Sequence, residues 1–130
     1  MGNAATIQRL VQLWEAGEAD SEEGRQLFDP DVEWIEPPEN VSQNIVSGPD
    51  AALAALANWN DQFDSLRVET TELREADDRV LHAMRQFATF RGSEAEIAGE
   101  LYMVWWFRNG KAVRMEMYNT SEQAEAAFTR

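Results

Sequence analysis

Two side chains in this sequence could move protons, Glu36 and His82. Glu36 stands directly before Pro37, and Trp34 lies two residues earlier, on the same face of a strand. A carboxylate desolvated among Trp and Met side chains holds its proton more tightly and can exchange it near neutral pH, as a general base or acid must. The plainer alternative is a solvated glutamate at a strand end in a very acidic chain. His82 is the only histidine, in the middle of a strand on the face that carries Val80 and Met84. A lone strand histidine is more often a packed, hydrogen-bonded structural residue. In a functional role it would donate to a carbonyl oxygen as neutral imidazole, or pair with Glu36 as a second base.

Large apolar side chains are available to surround this pair: Trp14, Trp34, Trp59, Met84, Met103, Trp105, Phe107, Met115 and Met117. They read first as core and second as the wall of an apolar ligand pocket. The chain has no cysteine, so disulfides, thiolate ligands and cysteine nucleophiles are excluded. One histidine excludes a multi-histidine zinc site within the chain, and neither metal nor organic cofactor is expected. The 24 acidic against 11 basic residues leave a net charge of −13. That field repels phosphate backbones and anionic membranes, so neither is an expected partner, and its plainest role is solubility. No apolar run reaches transmembrane length. The Met1-Gly2-Asn3-Ala4 start lacks the basic and apolar regions of a signal peptide, so a cytoplasmic location is expected.

The elements that must hold these residues can be read from periodicity. A length of 130 residues fits one domain over the whole chain. Ala4 to Ala16 places Ile7, Leu10, Val11 and Trp14 on one helical stripe, with Asn3 as cap and Gly17 as end. A short second helix follows, with Asp20 and Glu23 as a capping box and Asp29-Pro30 as its stop. Asp31 to Glu36 is a short strand. Glu39 to Ser47 is a loop or small hairpin and a candidate lid. Gly48-Pro49-Asp50 opens a third helix carrying Ala52, Leu56, Trp59 and Phe63 on one face, with Pro near its first position. From Asp64 the period becomes two. Strands run to about Glu75, then from Arg79 to Phe90, turning at Asp77-Asp78. The stretch from Leu101 to Asn119 reads as two long strands around Asn109-Gly110, the strongest short-range hairpin signal. Residues Leu101 to Phe107 are apolar at every position, so that strand should be covered on both faces. A second subunit against Tyr102, Val104 and Trp106 is the expected outer cover, making a homodimer. Thr120 to Phe128 forms a last helical turn or two, with Thr120 and Gln123 as capping box. Segregated helices and a meander of long strands indicate an α+β fold, with helices on one face of a curved antiparallel sheet.

The order of these elements, and particular words within it, resemble the nuclear transport factor 2-like superfamily, above all its SnoaL-like polyketide cyclase and ketosteroid isomerase-like branch. The words are Trp14-Glu15-Ala16-Gly17, Phe28-Asp29-Pro30-Asp31-Val32-Glu33-Trp34, Ser47-Gly48-Pro49-Asp50, Val104 through Lys111, and Tyr118-Asn119 before an Ala-rich tail. The resemblance implies a cystatin-like α+β barrel: a cone-shaped sheet wrapped around a long helix, with a pocket at its open end and often a dimer across the sheet. It implies that Glu36 is the proton-shuttling base, since this branch carries a carboxylate immediately before that proline. It implies a small, mostly apolar carbonyl compound as ligand, shaped by Trp14, Trp34, Trp59, Met84, Met103, Trp105, Met115 and Met117. The chain departs from the branch where ketosteroid isomerases carry a tyrosine and a protonated aspartic acid as oxyanion donors. Leu10 and Met103 stand at those positions. Steroid isomerisation by that mechanism is therefore not expected. The same scaffold without chemistry would be a ligand-binding or dimerisation module.

Overall fold

At Asn109-Gly110 both residues take positive φ, 53° and 78°, the pair that a type I′ turn requires. The turn joins β5 (Glu96–Arg108) to β6 (Lys111–Tyr118). The computed structural model describes residues 2–40 and 44–130. Before the hairpin come α1 (Asn3–Glu15), α2 (Glu22–Gln26), β1 (Phe28–Ile35), β2 (Ile45–Ser47), α3 (Pro49–Asn60), β3 (Phe63–Ala76) and β4 (Arg79–Phe90). After it comes α4 (Ser121–Thr129). The strands form one curved mixed sheet in the order β2-β1-β6-β5-β4-β3. Only β1 and β6 pair in parallel; the other pairs are antiparallel. The fold is α+β, as the periodicities indicated.

Two helix starts differ from expectation. Gly2, not Asn3, occupies the cap of α1, so Asn3 already lies in the first turn. The cap of α2 is Ser21, whose hydroxyl accepts the Gly24 N–H at 3.2 Å, one residue after Asp20. Glu39 and Asn40 lie in a turn after β1, and β2 pairs back on β1 as a small hairpin. Residues 41–43 of the candidate lid lie outside the described residues.

Strand parity sorts the sheet into two faces. Opposed pairs His82/Met103, Met84/Leu101, Gln86/Gly99 and Ala88/Ile97 share the concave face. Met103/Met117 and Trp105/Met115 extend it onto β6. Against this face pack α1 and α3, giving a core that includes Ile7, Leu10, Trp14, Leu53, Leu56, Val80 and Trp105. Trp105 is 2% exposed and stands between Phe28 and Trp34, with ring centroids 6.2 and 6.1 Å away. The Glu15 carboxylate accepts the Val68 N–H at 2.9 Å and so pins the end of α1 to β3.

On the convex face, where a second subunit was expected against Tyr102, Val104 and Trp106, part of the cover comes from the chain's own α4. Ala124, Ala127 and Phe128 of α4 pack on Leu81 and Val104, and Tyr102, Trp106 and Tyr118 flank them. Val104 is fully buried as a result. The signal lay in the Ala-rich tail, where Ala124, Ala127 and Phe128 make an i, i+3, i+4 stripe. The Arg79 guanidinium lies over the Trp106 ring and donates to the Phe128 and Arg130 carbonyls, at 3.0 and 2.9 Å. Beside it Glu116, 4% exposed, accepts from Tyr118, Arg114 and Arg130. Burial alone would push this carboxyl up; the three donors outweigh it and hold it below the usual carboxylate range. Thr120 caps α4 by accepting the Gln123 N–H, as expected. Thr120→Ala should therefore cost about 1 kcal/mol. The denaturant midpoint would fall with the slope unchanged; an unchanged midpoint would mean that the Thr120 cap contributes nothing to stability.

Candidate functional site

The upper half of the concave face is not filled by the helices. It encloses a cavity of about 560 Å³, the size range of small-molecule sites. Trp14 of α1 and Leu56 and Trp59 of α3 line it on one side, and Gln86, Ala88, Gly99 and Leu101 of β4 and β5 on the other.

Glu36 lies in this wall, half-buried, one residue past the end of β1. Its backbone N–H donates to the Asn44 carbonyl at 3.0 Å, and the Asn44 amide donates to its Oε1 at 3.2 Å. The carboxylate is thus held at the base of the β1–β2 connection. Trp14, Trp34, Trp59, Met103 and Met117 line the same cavity. Trp14 is fixed by mutual bonds with Asn60, the indole N–H donating at 2.6 Å and Asn60 donating back to the Trp14 carbonyl at 3.2 Å. Trp59 stands at the mouth, 42% exposed, with Phe90 and Ile97.

The other four candidates are placed elsewhere. His82, Met84, Trp105 and Met115 belong to the closed core and not to the cavity wall. His82 is 1% exposed, and its Nε2 lies 3.0 Å from the Thr70 hydroxyl. Burial pushes its pKa down to about 4, so it is neutral at pH 7. The expected pairing of His82 with Glu36 is not formed. Parity put it on the concave face, opposite Met103, but its ring is buried against Thr70 of β3 and does not reach the cavity that Met103 lines.

Parity alone did not single out the carboxamides. Asn40, Asn44, Asn58, Gln62, Gln86 and Asn119 all border the cavity. Glu100 borders it too, but its carboxylate accepts from Arg85 at 3.2 Å and from the Tyr102 hydroxyl at 3.1 Å, both residues of the convex face. Among the described residues no lining side chain is Lys, Arg or His. Nor do three His, Asp or Glu side chains of the described residues come together as a metal-holding group. The site can therefore offer one carboxylate, amide donors and aromatic walls. The Trp34 and Trp105 indole N–H groups are buried without an acceptor among the described residues.

Gly99 faces the cavity opposite Gln86, and nothing lies within 4 Å of where its Cβ would be. Gly99→Leu should fill that space and weaken binding of any ligand. Stability should hold or rise by roughly 0.5 kcal/mol, because a strand glycine carries an entropic cost. Calorimetric titration paired with thermal melting checks both halves; retained affinity would place the ligand elsewhere.

Comparison with known proteins agrees with this architecture. Residues 7–115 match the model of the SnoaL-like domain. No curated protein matches the chain. Among solved structures, Bal32a, from a soil-derived mobile gene cassette, is similar at TM-score 0.77 and 22% identity, over 98% of this chain and 96% of that one. A SnoaL-like polyketide cyclase structure from Jannaschia Sp. CCS1 gives 0.75 and 20%, over 98% and 91%. TerC, co-crystallised with polyporic acid, gives 0.75 and 20%, over 98% of both chains. At such identities these likenesses speak for the fold. With a family match that spans most of its length, a cavity at the open end of the curved sheet and helices on the concave face, the chain belongs to the SnoaL-like domain family.

Proposed function

We propose that the protein is a cofactor-independent enzyme that transfers a proton on a mostly apolar, carbonyl-bearing small molecule, as an isomerase, cyclase or lyase. One observation carries this reading: a half-buried carboxylate, Glu36, set in the wall of a largely aromatic cavity. Glu36 removes a proton from the carbon beside the carbonyl and returns it at the same or another position. Trp14, Trp34, Trp59, Met103 and Met117 exclude water and hold the carbon skeleton. The co-crystallisation of TerC with polyporic acid, and the polyketide cyclase among the similar structures, support a small organic ligand.

The test needs no knowledge of the natural substrate. β-Tetralone is a neutral aromatic ketone with acidic protons beside its carbonyl. Wild-type protein should accelerate deuterium uptake from D₂O at that carbon, and Glu36→Gln should not. A second reading, a binding module without chemistry, is favoured by Leu10 and Met103, which place apolar side chains where isomerases carry oxyanion donors. It predicts ligand binding with no exchange above buffer.

A further inference from the structure

Gln86 is the one polar side chain on the concave face of β4 that reaches the cavity, and it is 7% exposed. Its orientation is decided by its neighbours. The Trp59 indole can only donate, and it donates to Gln86 Oε1 at 2.8 Å. The carboxamide oxygen is thereby turned towards Trp59 and the amide nitrogen away from it. That nitrogen carries two hydrogens, and its sole protein acceptor among the described residues is the Met84 thioether at 3.5 Å. A thioether is a weak acceptor, so at least one N–H remains for another partner. Directly opposite, Gly99 contributes no side chain, and the space above it is open. A ligand atom can thus approach Gln86 from the cavity side.

The charge around the site says what that atom is. No Lys, Arg or His occurs between Arg25 and Arg67, the segment that supplies β1, β2 and α3. None lines the cavity among the described residues, Glu36 is an acid, and the chain as a whole carries −13. A carboxylate or phosphate ligand would meet no counter-charge there.

From this arrangement we infer that the Gln86 amide, locked by Trp59, is the oxygen-binding donor of the cavity, and that the oxygen it binds belongs to an uncharged ketone. The inference rests on the small-molecule reading above and deepens it. If Glu36 draws a proton from the neighbouring carbon, the electron pair left by the C–H bond moves onto that oxygen. The Gln86 N–H then faces growing negative charge and strengthens as the proton leaves. Gln86 would take over, from a different strand position, the work absent at Leu10 and Met103.

The experiment compares β-tetralone with tetralin, the hydrocarbon of the same shape without the oxygen. Wild type should bind the ketone better, and Gln86→Met should lose about tenfold in ketone affinity with tetralin affinity unchanged. Gln86→Glu, assayed at alkaline pH where its carboxyl is ionised, serves as second variant, because the carboxylate still accepts from Trp59 yet cannot donate; it should show the same selective loss. The infrared carbonyl band of bound ketone should lie lower in wild type than in either variant. Equal ketone affinity and an unmoved band in both variants would overturn the inference. Should Glu36-dependent exchange persist in that case, the proton-transfer reading would stand without it. Loss of ketone preference in the variants, with exchange independent of Glu36, would keep Gln86 and remove the base. A wild type that does not prefer ketone over hydrocarbon would overturn the inference outright.

Discussion

Replacing Glu36 with glutamine should slow proton exchange into a bound ketone by about 10²- to 10⁴-fold, the usual contribution of a positioned base. Ketone affinity should change by no more than a few fold. The separation follows from the contacts of the residue. Glutamine keeps a carbonyl oxygen at Oε1, so the Asn44 amide can still donate where it now does at 3.2 Å. The backbone bond from residue 36 to the Asn44 carbonyl does not involve the side chain. The shape of the wall between Trp34 and Pro37 is preserved. What disappears is basicity, since a carboxamide does not accept a proton near neutral pH. Exchange rates measured by NMR in D₂O, together with calorimetric affinities, give the two numbers. Equal exchange in wild type and variant would remove Glu36 from the chemistry. Affinity lost along with exchange would make its role structural.

How much of this site could be read in advance turns on one geometric fact. Period-two patterning tells which face of a sheet a side chain occupies, and nothing about its depth along the cone. His82 was placed on the face of Val80 and Met84, and the structure agrees. Yet His82 and Met84 lie where α1 and α3 close the core, whereas Gln86, one pair further on, reaches the cavity. Trp105 and Met115 lie in the core with Phe28, their first reading, and not in the cavity wall. Trp34, Trp59 and Met117 do line the cavity, Trp34 from its floor against Trp105 and Trp59 from its mouth. Glu36 stood out because a proline follows it. The carboxamides have no such marker: an Asn or Gln near a turn reads as solvated loop until the fold gathers it.

The convex face shows the other limit. The unbroken apolar run of β5 correctly demanded two covers. Identifying the second one required knowing whether a nine-residue helix at the end of the chain, α4, would fold back onto it. Three small or aromatic residues at helical spacing suffice, because Val104 and Leu81 offer a flat surface that Ala124 and Ala127 can approach closely. Phe128 then fills the edge, with the Arg74 guanidinium over its ring.

Acid should destabilise the protein through His82, in a window that lies above that of its carboxylates. The imidazole is buried and held near a pKa of about 4, whereas in the unfolded chain it returns to an ordinary value near 6.5. The unfolded state therefore takes up the proton first as pH falls. Stability from this group is complete above the unfolded value and is lost progressively on the way down to about 4. Between about pH 7 and pH 4.5 the loss is roughly 2 kcal/mol. Asp29 and Glu116 act lower down. The Arg108 guanidinium holds the Asp29 carboxyl below its usual range, and donors hold Glu116 likewise, so both stabilise until their own protonation at more acid pH. Acidification also relieves repulsion within a chain of net charge −13, which works in the opposite direction. Comparison with His82→Gln removes that common term. Glutamine can keep a hydrogen bond to the Thr70 hydroxyl, which the imidazole now approaches at 3.0 Å, and it does not titrate. Urea unfolding of both proteins across this range should give curves that diverge as pH falls, the wild type losing roughly 2 kcal/mol more. Parallel curves would show that the imidazole is not held neutral by burial.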